Sequence, residues 1–356
     1  MRILHAADLH LDSPFASLSD EKAKLSRQES RQVLRKLAQL ANENDVDIVL
    51  LSGDLFDGAN VYRETVDELT GMLDAIRCPV FITPGNHDYY RPRSPYTKIL
   101  FPEHVHLFAA PEIRAVALEK CIVYGAAFWE EQEPEGFLQG FQVFDDERLH
   151  IMCIHGDLTG GPYNPITKQQ IAQSGLDYLA LGHIHAYSGL QREGKTFYAY
   201  PGCSEGRGFD ETGEKGCLLL EVEKGSVTAE FIPLCTRRYE VCSVDVTERD
   251  VLQAAEEALA GYSDEDVIRL VLVGERQEEL SAACLERCGQ RFFGFEVVDQ
   301  TREKEDIWSR AGEDSLRGIF LKNLKERYDA AQSDAERETV LMAAKVGLAA
   351  LDNREL

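Results

Sequence analysis

A chain of 356 residues with 62 acidic and 38 basic side chains, formal net charge −24 at pH 7, is long enough for one large domain and one or two smaller ones. The acidity argues against a broad, unaided electrostatic grip on nucleic acid, while leaving room for a local basic patch, a metal-assisted site or a partner that brings positive surface. No apolar run approaches the roughly 20 residues that span a bilayer, the N-terminus leads straight into a strand rather than a signal-peptide pattern, and nine cysteines scattered without a double CxxC fit a reduced, cytoplasmic protein with no membrane partner.

In chain order, residues 2–7 read as a strand, followed by the loop DLHLDSP. Helical spacing over 20–43 puts Leu25, Val33, Leu34, Leu37 and Leu40 on one face. Strand 46–52, a helix near 61–76 and strand 79–83 follow, an alternation that implies parallel pairing. Residues 89–95 (YYRPRSP) form an aromatic and basic loop, short strands are expected near 105–108, 113–118 and 121–125, and acidic residues mark exposed loops at 130–140 and 145–147. Strand 149–154, a helix near 167–173 and strand 177–181 come next. Segments 186–192 and 195–200 read as a hairpin turning at Gly194, and 217–222 with 226–233 as another around Lys224 and Gly225. Between them lies a loop, 201–216, rich in glycine and charge.

A boundary is expected near 236–240, giving a first domain over 1–236. Segments 239–246, 250–260, 267–273, 278–287 and 292–298 alternate βαβαβ, a small α/β unit within 237–300. Cys284 and Cys288, four apart on its second helix, read as packing residues. Residues 301–356 are polar and helical, with stripes Leu316, Ile319, Phe320, Leu324 and Val340, Leu341, Ala344, Leu348, Leu351, expected to pack on their own chain in preference to a partner.

Five apolar strands end on chemistry. ILHAADLH delivers Asp8 and His10, VLLSGDLFD delivers Asp54, PVFITPGNHD delivers Asn86, His87 and Asp88, LHIMCIHGD delivers His155, and LDYLALGHIH delivers His183 and His185. Sites in open α/β sheets form beyond the carboxyl ends of the strands. Gly53, Gly85 and Gly182 each precede a candidate ligand, where glycine lets the chain turn off the strand. Carboxylate and imidazole suit hard and borderline divalent cations, and a carboxylate shared by two ions about 3.5–4 Å apart makes a clamp for displacement at phosphorus. Taken singly, each motif has a plainer use: a capping pair, a turn, a hydrogen-bonded histidine. Their order and shared placement point to a two-metal centre. His5, His104, His106 and His150 lack that placement and read as structural.

DLH, GDLFD, GNHD, HGD and GHIH, in this order, resemble the calcineurin-like metallophosphoesterase superfamily. Three further segments, DLHLDSPF, YPGCSEGRGFDETGEKG and DSLRGIFLKNL, are similar to its DNA-repair branch, that of SbcD-type nuclease subunits and YhaO-like bacterial exonucleases. The resemblance implies an α/β fold: a calcineurin-like β-sandwich flanked by helices, with a capping domain placed at 240–300 and C-terminal helices. It implies that Asp8, His10, Asp54 and His185 hold one divalent ion and Asp54, Asn86, His155 and His183 the other, both Mn2+, with Asp54 bridging. His87 would act as the catalytic acid at the scissile phosphate, oriented by Asp88. The activity implied is an Mn-dependent DNA exonuclease or endonuclease with a two-metal mechanism. Such a subunit would act on single- or double-stranded DNA ends, as a homodimer with a coiled-coil ABC-type ATPase subunit, in the bacterial cytoplasm near the nucleoid. The rival readings are a cyclic-nucleotide phosphodiesterase or phosphatase of the same fold, and a non-catalytic DNA-end tether. Arg91, Arg93 and Lys98 after GNHD, and Arg192, Lys195 and Arg207 after GHIH, would form a basic rim, with Tyr89 stacking on bases; ordinary surface charge is the plainer reading. Asp57 stands where some members carry histidine, a departure expected to concern DNA contacts and loop shape more than metal binding.

Overall fold

The computed structural model describes residues 1–144, 147–276, 282–303 and 307–351, and for 282–284 the backbone alone. Asp145 and Asp146 of the second acidic loop, residues 278–281 of the expected helix and the side chain of Cys284 lie outside the described residues. The elements of the first half are β1 (Arg2–Ala6), α1 (Asp20–Glu43), β2 (Ile48–Ser52), α2 (Arg63–Ala75), β3 (Val80–Thr83), a 3-10 turn (Pro95–Lys98), β4 (Val105–Leu107), β5 (Arg114–Ala117) and β6 (Cys121–Gly125). Next come β7 (Leu149–His155), α3 (Lys168–Ser174), β8 (Tyr178–Gly182), β9 (Gln191–Glu193), β10 (Thr196–Ala199), β11 (Gly216–Glu223) and β12 (Ser226–Pro233). Last are β13 (Tyr239–Asp245), α4 (Val251–Leu259), β14 (Val267–Val273), β15 (Glu275–Arg276), α5 (Ala282–Gly289), β16 (Gly294–Asp299), β17 (Arg302–Glu303), α6 (Leu316–Ala330) and α7 (Asp334–Leu351).

Two six-stranded sheets face each other, ordered β12-β11-β1-β2-β3-β4 and β5-β6-β7-β8-β10-β9. β1 to β4 run parallel, as do β6, β7, β8 and β10. Ile3, Ile48, Leu50 and Phe81 of the first sheet meet Val123, Ile151, Cys153 and Tyr178 of the second. The alternate residues Leu4, Val49, Leu51 and Ile82 turn outward onto Val33, Leu34 and Leu37 of α1 and Leu69 and Leu73 of α2. Met152, Ile154 and Leu179 back onto Ile171 of α3. Both faces of these strands are covered, which is why they read as unbroken apolar runs.

β13, β14 and β16 form a separate parallel sheet with α4 and α5 and their own apolar core. Arg237 joins it to the sandwich: its guanidinium pairs with Glu29 of α1 and Glu265 and lies 3.5 Å from the ring centre of Phe293. Three expectations change. Leu25 is exposed, as are Leu316 and Ile319 of α6, while Leu321 and Ala344 carry the burial in the last two helices. The 130–140 stretch is pinned rather than loose: buried Asn164 donates to the His155 carbonyl, accepts from Phe137 N, and its own N–H donates to Glu133 O. Among the described residues no helix is long and apolar enough to cross a membrane.

Candidate metal centre

The parallel strands of both sheets release their carboxyl-terminal loops at one end of the sandwich. The loops after β1 and β2 lie side by side, with Asp8 N donating to Gly53 O at 3.1 Å, His10 N to Asp54 O at 2.9 Å and Asp57 N to Leu11 O at 3.1 Å. Asp8, His10, Asp54 and His183 all have positive φ, at 52°, 41°, 50° and 112°, a backbone that costs about 1–3 kcal/mol each and collects at functional sites. Gly53 shares it, at φ 92°. Gly85 and Gly182 do not; they are glycine because chains meet there. A Cβ at Gly85 would sit 2.2 Å from Asp54 Oδ1, and one at Gly182 would sit 1.8 Å from the Ser52 carbonyl oxygen.

Seven of the expected ligands come together. His155 Nδ1 donates to Ser52 O at 3.1 Å, leaving Nε2 as a lone pair 3.4 Å from Asp54 Oδ2 and 2.8 Å from Asn86 Oδ1. Asn86 Oδ1 also lies 3.2 Å from His183 Nδ1. On the other side, His10 Nδ1 donates to Asp57 at 3.0 Å and His185 Nδ1 to Glu211 at 2.7 Å. Carboxylates only accept, so each imidazole in its neutral form keeps its lone pair on Nε2. Those two lone pairs face each other at 3.1 Å, with His10 Nε2 3.8 Å from Asp54 Oδ2. Asp8 completes the set: its donor oxygen falls within 4.8 Å of ligand atoms of His10 and His185, and of Asp54 and His155.

Facing lone pairs repel unless a cation lies between them. Burial, and then the charge of Asp54, push the Asp8 carboxyl well above the ordinary range, and burial raises Asp54 as well. Burial drives His155 down to about 3 and His183 to about 4, and it pulls His10 well below its usual value. The neutral imidazoles of His10, His155 and His183, with two buried carboxylates that have no Lys or Arg ion pair among the described residues, are a donor set that fits a pair of divalent ions.

His87 sits at the edge of this cluster. Its N–H donates to Asp54 Oδ1 at 2.9 Å, and its ring meets His10 edge-on at 4.8 Å. Its side chain is 44% exposed, against none for His10 and His155, so a substrate can reach it. Asp88 does not orient it. That carboxylate is buried and taken by the N–H groups of Phe56 and Gly85, at 3.1 and 2.8 Å, and by the Tyr96 hydroxyl. The acid beside the His87 ring is Asp57, 3.8 Å from Nδ1. Asp57 thus belongs to the centre, where it was expected to concern DNA contacts and loop shape more than metal binding.

Arg207 is not free for a rim either. It is clamped between Asp57 at 2.9 Å and Glu211 at 2.6 Å. Burial would raise Glu211, but hydrogen bonds from His185 and Arg207 outweigh it and hold the carboxyl below its usual range. Glu211 was invisible in the sequence, an ordinary acid in a charged loop. Arg192 and Lys195 lie at the wrong end of the molecule: β10 pairs parallel with β8, so the Gly194 turn falls at the amino ends of those strands. There Arg192 stacks on Phe197, and Lys195 lines a cavity of about 730 Å³ with Lys224. Arg91, Arg93 and Lys98 are exposed after GNHD, with Arg91 over the Tyr89 ring at 4.5 Å. Tyr163, not anticipated, lies 5.2 Å from the His183 ring.

The calcineurin-like phosphoesterase family model matches residues 1–187, over half of the chain, and the chain belongs to that family. It is a metallophosphoesterase, a hydrolase of phosphoester bonds in a family whose centre is dinuclear. Among its relatives is the uncharacterized metallophosphoesterase YhaO of Bacillus subtilis (strain 168), 32% identical over 305 residues, 80% of this chain and 74% of that one. Another is the DNA double-strand break repair protein Mre11 of Methanopyrus kandleri, 24% identical, covering 91% of this chain and 76% of that one. Similar solved structures include TT1561 of Thermus thermophilus, with TM-score 0.40, 13% identity and coverage of 65% of this chain and 98% of that one. A dimetal phosphatase from Danio rerio gives TM-score 0.41, 12% identity and coverage of 64% and 98%.

Proposed function

We propose that the protein is a manganese-dependent DNA nuclease that hydrolyses phosphodiester bonds at DNA ends. The observation that carries this reading is the pairing of a buried Asp54, near both His10 and His155, with a solvent-open His87 at its edge. Asp8, His10, Asp54 and His185 would hold one divalent ion and Asp54, Asn86, His155 and His183 the other. Such ions supply Lewis-acid polarisation of a phosphoryl oxygen. The chain's own residues do the rest. Asp54 is fixed by the His87 N–H. With Asp57 beside Nδ1, His87 presents Nε2 as the nitrogen that gives a proton to the leaving oxygen. Arg91, Arg93 and Lys98 are the cations available to backbone phosphates, and Tyr89 can stack on a base.

The preference for DNA over small esters is supported by the relative named as a DNA double-strand break repair protein. The same reading carries a homodimer and a coiled-coil ABC-type ATPase subunit as partners; exposed Leu316, Ile319, Met342 and Val346 on the last two helices offer apolar surface for such contacts. It also carries a reducing cytoplasmic setting near the nucleoid, in keeping with the eight free thiols among the described side chains. The test is a competition among end-labelled DNA, a small phosphodiester and a phosphomonoester, with Mn2+ present. DNA ends are expected to be degraded fastest. His87→Ala should cut turnover by about 10²–10⁴-fold while bound metal, measured separately, is unchanged. Hydrolysis confined to the small esters would replace the reading with a phosphodiesterase or phosphatase. Binding of DNA ends without cleavage would leave a tether.

A further inference from the structure

The two halves of the centre are supported differently. His155 leans on a backbone carbonyl, Ser52 O, supplied by the sheet itself. His10 and His185 lean on two carboxylates from distant loops, Asp57 and Glu211, and both carboxylates are bound to one guanidinium, Arg207. Arg207 Nη2 also lies 3.1 Å from His185 Nδ1. The loop between β10 and β11 is moulded onto His185 from the other side as well. Lys215 Nζ donates to the His185 carbonyl at 3.0 Å, Cys203 N does so at 3.3 Å, and a Cβ at Gly202 would sit 2.9 Å from that oxygen.

We propose that Arg207, acting through Asp57 and Glu211, is a positioning residue for one of the two ions only, the one facing His10 and His185. The inference rests on the metal reading above. Without Arg207, Asp57 and Glu211 are two like charges held near each other and near Asp8 and Asp54, and both would turn toward solvent. The imidazoles they aim would lose their fixed Nε2 direction, and partners of this kind are worth about 10–100-fold in metal affinity. His155, His183 and Asn86 share no hydrogen bond with Arg207, Asp57 or Glu211 among those described, so their ion should be spared. The loop carrying Arg207 therefore sets whether the centre holds one ion or two.

The experiment is Mn2+ titration of the full chain by equilibrium dialysis, with the electron paramagnetic resonance spectrum recorded at each point. The unaltered protein is expected to bind two ions per chain and to give the spectrum of a coupled pair. Glu211→Gln, which keeps an acceptor in place, and Arg207→Met should each weaken one site about 10–100-fold and leave the other within twofold. At intermediate Mn2+ they should show the six-line spectrum of an isolated ion, and Arg207→Lys should recover part of the pair. A thermal melt without metal checks that each variant is folded. Folded variants that bind two ions with unaltered affinity, or that weaken both equally, overturn the proposal. Fewer than two ions in the unaltered protein overturns the metal reading itself, and this inference with it.

Discussion

At the carboxyl ends of the two sheets, like faces like: Asp8 beside Asp54, and the Nε2 lone pair of His10 against that of His185. At the amino ends of the second sheet, opposite charges meet instead. Lys224 pairs with Asp177 at 3.0 Å, Asp177 also accepts from His150 N at 2.8 Å, and Lys168 pairs with Glu193 at 3.1 Å. The same strands, read from one tip to the other, pass from paired opposite charges to a cluster of like groups. A fold normally settles its buried polar groups internally. Where it gathers donors of one kind instead, and holds four of them at positive φ, it has been shaped around something it binds.

The largest blow to that contrast should come from Gly182→Ala. The added methyl would enter the space of the Ser52 carbonyl, 1.8 Å away, and that carbonyl orients His155. Urea unfolding should show a loss of about 3 kcal/mol or more, with phosphoesterase activity abolished. Asp54→Asn strikes the cluster without touching the fold. Activity should fall about a thousandfold, and the size of the stability change depends on pH. Burial raises the Asp54 carboxyl above its usual 3.8, so the folded state holds that proton more tightly than the unfolded one. The penalty is absent below that ordinary value and grows as pH rises through the raised one. In chelator, the variant should therefore melt higher than the parent at pH 8, and the gap should close toward pH 4. A smaller effect is expected at the rim. Arg91→Ala and Lys98→Ala should each raise KM for DNA a few fold and lower the salt dependence of binding by about one phosphate contact. The smallest belongs to the far end. Arg192→Ala and Lys195→Ala should leave DNA turnover within twofold and stability within about 0.5 kcal/mol; a large loss of DNA cleavage there would erase the distinction between the two ends.

What the sequence disclosed follows from the same geometry. Buried parallel strands are apolar on both faces, so a sudden Asp, Asn or His at their ends stands out, and all seven ligand candidates were legible for that reason. The supports were not. Arg207 and Asp57 meet across 150 residues, and neither spacing nor periodicity signals such a contact. Neighbours in sequence also misled: Asp88 follows His87 but turns into the core toward Tyr96, and Lys195 follows GHIH only after the chain has crossed to the other end of the sheet. Gly85 and Gly182 stood out as turn formers, yet they are demanded by contacts with Asp54 and Ser52, which only the packed sheets create.

Anomalous diffraction at the manganese edge, on crystals of the full chain grown with Mn2+, tests the heart of this account most directly. Two peaks per chain are predicted, both touching Asp54, one beside His10 and His185 and the other beside His155, His183 and Asn86. A single peak, no peak, or a pair with His155 or His183 turned aside would contradict it.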